Sequence, residues 1–174
     1  HANIVCWQQL ALSKDLTIHY APLTSDGVID VDYCLTLLKQ YPIKIVSMLH
    51  ISNALGTVQP IEKIFKDAKD KGAITIADMC QSLPIYLTSL DDLYADFAVI
   101  SGHKVYAPSG IGCVLIQEKQ MAESLPPYQT GGGMIAEVAT SHSTFAASPT
   151  RFEAGTPFIE GAYLFSQALR FGRQ

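Results

Sequence analysis

Charge, paired cysteines and long apolar runs are all in short supply. Only 16 % of the 174 residues are charged, no block of like charge occurs, and the formal net charge is −4. That balance argues against nucleic acid and anionic membrane as partners. Cys6, Cys34, Cys80 and Cys113 are scattered singly, so there is no C-x-x-C pair to clip a zinc ion or run dithiol chemistry. Reduced, mostly buried thiols are expected. No apolar run approaches the ~20 residues that cross a bilayer, and the first residues have no basic region leading into a long apolar stretch. These absences lead to the expectation of a soluble cytoplasmic protein. Hydrophobic residues make up 48 %, enough for one folded domain with a substantial core.

The apolar residues recur with two periods. Ile4, Val5, Trp7, Leu10 and Ala11 are spaced for a helix, and residues 16–20 alternate in the manner of a strand. Asp26-Gly27 marks a turn, Asp30 is placed to cap a helix through Val31, Cys34, Leu35 and Leu38, and Pro42 ends it. Short β-branched runs at residues 44–49, 73–77, 97–100 and 112–116 predict fully buried strands. Between the first two, Pro60 opens a helix through Ile61, Ile64, Phe65 and Ala68 that closes at Lys71-Gly72. Strand, helix, strand with a short crossover implies an α/β fold with a mostly parallel sheet flanked by helices. Residues 125–157, rich in Gly, Pro, Ser and Thr, read as a long functional loop or lid, and residues 161–170 as a final helix.

Ligands of open α/β sheets sit beyond the carboxyl ends of the strands, so the polar residues there are the first candidates. The first run is followed by His50, Ser52 and Asn53, the second by Asp78 and Gln81, and the third by Ser101-Gly102-His103-Lys104. A lysine in such a turn can be desolvated enough to form a Schiff base, and a strand-end carboxylate can hold a pyridine nitrogen protonated. Ser101 and His103 beside it could bind phosphate. Each residue alone also reads as a turn, cap or solvated surface group, and it is their joint occurrence that points to pyridoxal-phosphate chemistry.

The ordered motifs resemble a known family. They are H-A-N-x-x-x-W-Q (residues 1–8), H-x-S-N-x-x-G-T (50–57), D-x-x-Q (78–81), S-G-H-K-x-x-x-P-x-G-I-G (101–112), G-G-G-M-I (131–135) and R-F-E-A-G-T-P (151–157). Together they are similar to the group II cysteine desulfurases and selenocysteine lyases. These are class V, fold-type I enzymes that use pyridoxal 5'-phosphate, and the likeness runs over essentially the whole chain.

The resemblance implies a part of the large cofactor-binding domain over residues 1–174, with an N-terminal segment and a C-terminal small domain lying outside it. Lys104 would hold the cofactor covalently and later move the Cα proton, and Asp78 would pair with the pyridinium nitrogen. Gln81 would bond the phenolic oxygen or the lysine nitrogen. His1 would stack on the ring and assist proton transfer, and Asn53 would lie near the substrate carboxylate. Ser101 and His103 would hold phosphate, and Thr156 would reach the phosphate of a neighbouring subunit. A homodimer with shared sites follows, its entrance lined by residues 131–135.

The implied activity converts L-cysteine, or selenocysteine, to alanine and passes sulfur to an acceptor protein for iron–sulfur cluster assembly or sulfur metabolism. The sulfur-carrying cysteine is expected beyond Gln174, and Cys80 is not assigned that role. Other class V activities (epimerase, β-lyase, aminotransferase) and an inactive dimerising module are the alternatives. Met79-Cys80 replaces the family's usual Gly-Ala, Ala107 a usual Gly, and Phe158 a usual Asn.

Overall fold

The computed structural model describes residues 2–86 and 88–172. Helix α1 (Ala2–Lys14) leads to an extended segment, then α2 (Val31–Gln40), β1 (Ile45–Leu49), α3 (Ile61–Asp70), β2 (Ile74–Asp78), β3 (Phe97–Ser101) and β4 (Gly112–Ile116). After α4 (Lys119–Ser124) comes a hairpin of β5 (Ile135–Val138) and β6 (Ser143–Phe145), and the chain closes with α5 (Ile159–Phe171). The main sheet has the order β1-β2-β3-β4; its first three strands are parallel and β4 is antiparallel. No helix among the described residues is long and apolar enough to cross a membrane.

The helices form where their apolar stripes predict. Asp30 caps α2 by accepting from the Tyr33 N–H at 2.9 Å, and the helix buries Cys34 and Leu38. Helix α3 buries Ile61, Ile64, Phe65 and Ala68 at the i, i+3, i+4, i+7 spacing and ends at Gly72, whose φ of +78° suits glycine. This stripe packs on β1 and β2 and meets Ala77, Ala98 and Phe165 of α5 in one core. Burying the Phe65 ring alone contributes about 2 kcal/mol.

Three expectations are corrected. Residues 16–20 form no strand: their side chains alternate, but their backbone finds no neighbouring strand among the described residues, and Leu16 N–H instead closes onto the Ala11 carbonyl. The strands are not all fully buried, because β4 lies at the edge of the sheet with Val114 and Leu115 exposed. Residues 125–157 are not one long loop, since they contain the β5–β6 ribbon. Arg151 anchors that region to α4, its Nη1 donating to the Glu123 carbonyl at 2.8 Å and lying 3.3 Å from the Glu123 carboxylate.

A buried polar knot ties β2 to β3. Asp96, 6 % exposed, accepts from the Thr75 N–H at 2.9 Å through Oδ2 and meets Lys69 Nζ of α3 at 2.8 Å through Oδ1. The Thr75 hydroxyl donates to the Tyr94 carbonyl at 2.7 Å and accepts from the Asp96 N–H at 3.0 Å. Replacing Asp96→Ala strands these donors, and urea unfolding of the complete protein should show a loss of about 3 kcal/mol. Lys71→Ala, which breaks the exposed pair with Asp67, should cost less than about 0.5 kcal/mol. Equal effects would show that the knot does not hold the sheet.

Candidate functional site

Parallel register brings three strand ends level. Leu49 pairs with Asp78 and Asp78 with Val99; the His50 N–H donates to the Asp78 carbonyl at 3.0 Å, and the Met79 N–H to the Val99 carbonyl at 3.0 Å. The turns after β1, β2 and β3 therefore open along one edge of the sheet, the position in which α/β proteins bind ligands.

Asp78 is the last residue of β2 and half-buried, and its Oδ1 accepts from the Cys80 N–H at 3.1 Å. That bond turns the chain back and holds the carboxylate at the edge. Cys80 is half-buried with its Sγ 3.7 Å from the Val99 carbonyl oxygen. Burial first, then hydrogen bonding to and charge from Asp78, push its thiol up to about 11, while the Lys104 ammonium pulls the other way. Asp78 ends β2 and Lys104 closes the turn after β3, the strand paired with it. Gln81, half-buried, follows Cys80 in the turn after β2.

Lys104 owes its position to two glycines. Residues Gly102–Lys104 form a 3-10 turn directly after β3, with the Gly102 carbonyl accepting from Val105 N–H and Ala107 N–H. The Gly102 N–H donates to the Ile111 carbonyl at 2.9 Å, so a Cβ at Gly102 would lie 2.8 Å from that same oxygen. A Cβ at Gly112 would lie 2.6 Å from the Ile100 carbonyl oxygen. Only glycine lets the S-G-H-K turn close against the start of β4. Ser101 Oγ and His103 Nδ1 are 2.9 Å apart, which leaves Nε2 of the exposed imidazole to face outward. Lys104 is half-buried and in no ion pair among the described residues.

Asp78, Gln81, Ser101, His103 and Lys104 are thereby assembled on two adjacent strand ends. Asn53 stands on the same edge in an exposed turn after β1, where Ser52 Oγ accepts from the Ala54 and Leu55 N–H groups. Thr156 is not brought to them. It lies exposed in a separate unit, in which the Gly155 N–H donates to the Gly132 carbonyl at 2.9 Å and joins the G-G-G-M-I and R-F-E-A-G-T-P motifs. His1 lies outside the described residues.

Other polar residues have roles that no motif announces. Asn3 Oδ1 accepts from Trp7 Nε1 at 3.1 Å and from Ser47 Oγ of β1 at 2.7 Å, pinning the start of α1 to the sheet; the N-x-x-x-W spacing signals half of this. His50 is 6 % exposed, and burial lowers its imidazole pKa, partly offset by the Glu62 carboxylate. Its ring lies 6.2 Å from that of Tyr86. His19, which shows no partner pattern in sequence, packs its ring 4.2 Å from Tyr41. Of the cysteines, Cys34 is buried and Cys113 half-buried, each with its thiol pKa raised by burial, whereas Cys6 is exposed. The described residues contain no cluster of three or more His, Cys, Asp or Glu able to hold a metal ion.

The aminotransferase class-V family model matches residues 1–174. A cysteine desulfurase from Pectobacterium carotovorum subsp. carotovorum (strain PC1) is 40 % identical over 172 residues, which cover 98 % of this chain and 42 % of that protein. An apo cysteine desulfurase structure from Thermococcus onnurineus NA1 is similar with a TM-score of 0.91 at 34 % identity, over 99 % of this chain and 43 % of that one. An S-sulfonic acid form of a cysteine desulfurase from Escherichia coli has a TM-score of 0.91 at 31 % identity, over 98 % and 42 %. The chain spans about two fifths of the length of these relatives.

The packing of Cys80 is testable through its thiol. Iodoacetamide at pH 8 should label exposed Cys6 well ahead of Cys80, and the Cys80 rate should keep rising toward a midpoint of about 11. Asp78→Asn removes the negative neighbour that disfavours the thiolate, so it should move that midpoint down. Equal labelling of the two thiols at pH 8 would refute the contact.

Proposed function

The chain belongs to the aminotransferase class-V family, and from that premise we propose that the complete protein is a pyridoxal-phosphate-dependent cysteine desulfurase. The reaction is L-cysteine plus a thiol giving L-alanine plus a persulfide. The observation that carries this reading is the placement of Asp78 and Lys104 at the level ends of adjacent paired strands, beside the hydrogen-bonded Ser101–His103 pair. The names of the relatives support the choice of substrate.

The donor set fits the cofactor. Asp78, oriented by the Cys80 N–H, offers the carboxylate that a ring nitrogen needs to stay protonated. Ser101 and His103 are hydrogen-bonded to each other, and the pair offers a phosphate its remaining donor, the imidazole Nε2–H when the hydroxyl donates to Nδ1 or the hydroxyl when Nδ1–H donates to Oγ. Lys104 supplies the amine for covalent attachment, and Gln81 an amide to the phenolic oxygen. When bound, pyridoxal phosphate supplies an electron sink for the substrate Cα.

The remaining work falls to the chain itself. Lys104 Nζ removes and returns the proton at the substrate Cα, acting from a turn whose backbone is locked against Ile111. Asn53, on the turn after β1, would bind the substrate carboxylate, and His1 would assist proton transfer. Cys80 does not carry sulfur: its thiol stays protonated at neutral pH under burial and the Asp78 charge. The exposure of Thr156 supports a homodimer in which that hydroxyl would serve the partner's phosphate, and a cytoplasmic location is part of the same proposal. A sulfur-acceptor protein, and delivery toward iron–sulfur clusters, complete the proposal.

Borohydride reduction of the cofactor-loaded complete protein, followed by peptide mapping, should find a pyridoxyl group on Lys104. Lys104→Ala should abolish that label and lower alanine release from L-cysteine by a factor of about 10²–10⁴. A label on another lysine, or retained turnover, would overturn the assignment. Selenocysteine as the faster substrate would shift the reading to the lyase.

A further inference from the structure

Asn53 sits on an exposed turn, yet the base of its loop is closed by several hydrogen bonds. Ile51 and Val58 face each other across an antiparallel bridge, the Ser52 N–H donates to the Thr57 carbonyl at 3.0 Å, and the Gln59 N–H returns to the His50 carbonyl at 2.8 Å. Gln59, only 2 % exposed, carries its side chain away from this loop to a turn some 30 residues earlier. Its Oε1 accepts from the Ile29 N–H at 2.7 Å, while its Nε2 donates to Thr57 Oγ1 at 2.8 Å and lies 3.2 Å from the Gly27 carbonyl oxygen. The Thr57 hydroxyl donates to the same Gly27 carbonyl at 2.9 Å.

Gly27 itself touches the loop. Its φ is +73°, and a Cβ built there would stand 2.6 Å from Leu55 Cδ1, two residues beyond Asn53. The turn is closed on its own account, with Gly27 N–H donating to the Thr24 carbonyl at 3.0 Å and Thr24 N–H to the Val28 carbonyl at 2.8 Å. Leu23 bridges Ile29, and the next residue, Asp30, caps α2. A turn that leads into a core helix is therefore clamped to the C-terminal side of the segment that presents Asn53, through Leu55, Thr57 and Gln59.

We infer that the turn at residues 24–28, acting through Gly27, Thr57 and buried Gln59, is the positioning support of the Asn53 loop and so sets how tightly the substrate is held. None of these three residues touches the Lys104 cluster in the described contacts; they act through the loop. The inference rests on the proposed role of Asn53 at the substrate carboxylate. Displacing the loop should thus weaken substrate binding and leave the proton chemistry at Lys104 unchanged.

The test is made on the complete, cofactor-loaded protein, reading backbone amide exchange at residues 54–56 together with KM and kcat for L-cysteine. Gly27→Ala, which strains a backbone held at φ +73° and crowds Leu55 Cδ1, should speed that exchange and raise KM about tenfold while kcat and the cofactor absorbance stay within about twofold. Thr57→Val, which removes a donor to the Gly27 carbonyl and the acceptor of Gln59 Nε2, should move exchange and KM in the same direction. Thr57→Ser, which keeps the hydroxyl, should leave both near the parent values. The inference is overturned if exchange at residues 54–56 is unchanged in both Gly27→Ala and Thr57→Val, if kcat falls as far as KM rises, or if Thr57→Ser shifts both as far as Thr57→Val does. Asn53→Ala separates the two readings: an unchanged KM there refutes the Asn53 role, and loop exchange with its Thr57→Ser control then decides the support by itself.

Discussion

The candidate site depends on a knot at the opposite end of the sheet from it. Asp96 stands immediately before β3 and takes both the amide and the hydroxyl environment of Thr75 in β2, with the Lys69 ammonium closing its second oxygen. A carboxylate with this little exposure is tolerable only when paired and hydrogen-bonded, and here both conditions are met by residues of β2 and α3. The consequence is register. Each strand residue advances ~3.3 Å and alternates face, so a slip of one position between β2 and β3 would carry Asp78 past the Lys104 turn and point it through the sheet. Thr75 opposite Asp96 at one end thus brings Asp78 opposite Val99 at the other.

With the strand ends level, short-range constraints finish the placement. Backbone closure through Gly102 and Gly112 leaves the Lys104 turn few alternative paths, and the Cys80 N–H holds one oxygen of Asp78. The thiol at this point is chemically quiet. A thiolate beside the Asp78 carboxylate would add a second negative charge to this turn, and burial together with Asp78 pushes the Cys80 thiol up to about 11. The departure from the family's small pair at Met79-Cys80 is accommodated accordingly: Met79 turns into the core at 2 % exposed, and Cys80 fills the edge without adding charge.

Most of the fold was legible because its signals are local. The α3 stripe and the Asp30 cap are read within ten residues of sequence, and the S-G-H-K and D-x-x-Q turns fall at strand ends that short apolar runs announce. What escaped is non-local or shallow. Residues 16–20 have a strand's alternation, but a strand is defined by a neighbour's backbone. The β5–β6 ribbon is short and exposed, so it has no buried face to imprint a period on the sequence. The roles of Gln59 and Asp96 are set by partners 30 and 21 positions away, with nothing beside them to mark them as buried anchors, and the N-x-x-x-W spacing announces only the local half of the Asn3 role, not its bond to Ser47 44 positions on.

That division between local and non-local has a functional side. The groups with reactive chemistry sit in short motifs, yet each owes its position to a hydrogen bond made from elsewhere: Lys104 to Ile111, Asp78 to the turn it precedes, and Asn53 to the turn around Gly27. Thr156 belongs to another unit altogether, held by Gly132 and by the Arg151–Glu123 anchor on α4 instead of by the sheet. The Thr156 hydroxyl, held through the Gly155–Gly132 bond, stands exposed without straining the strand edge. The strand-end groups and Thr156 therefore rest on independent supports, the first on sheet register and the second on the Gly132 and Glu123 contacts.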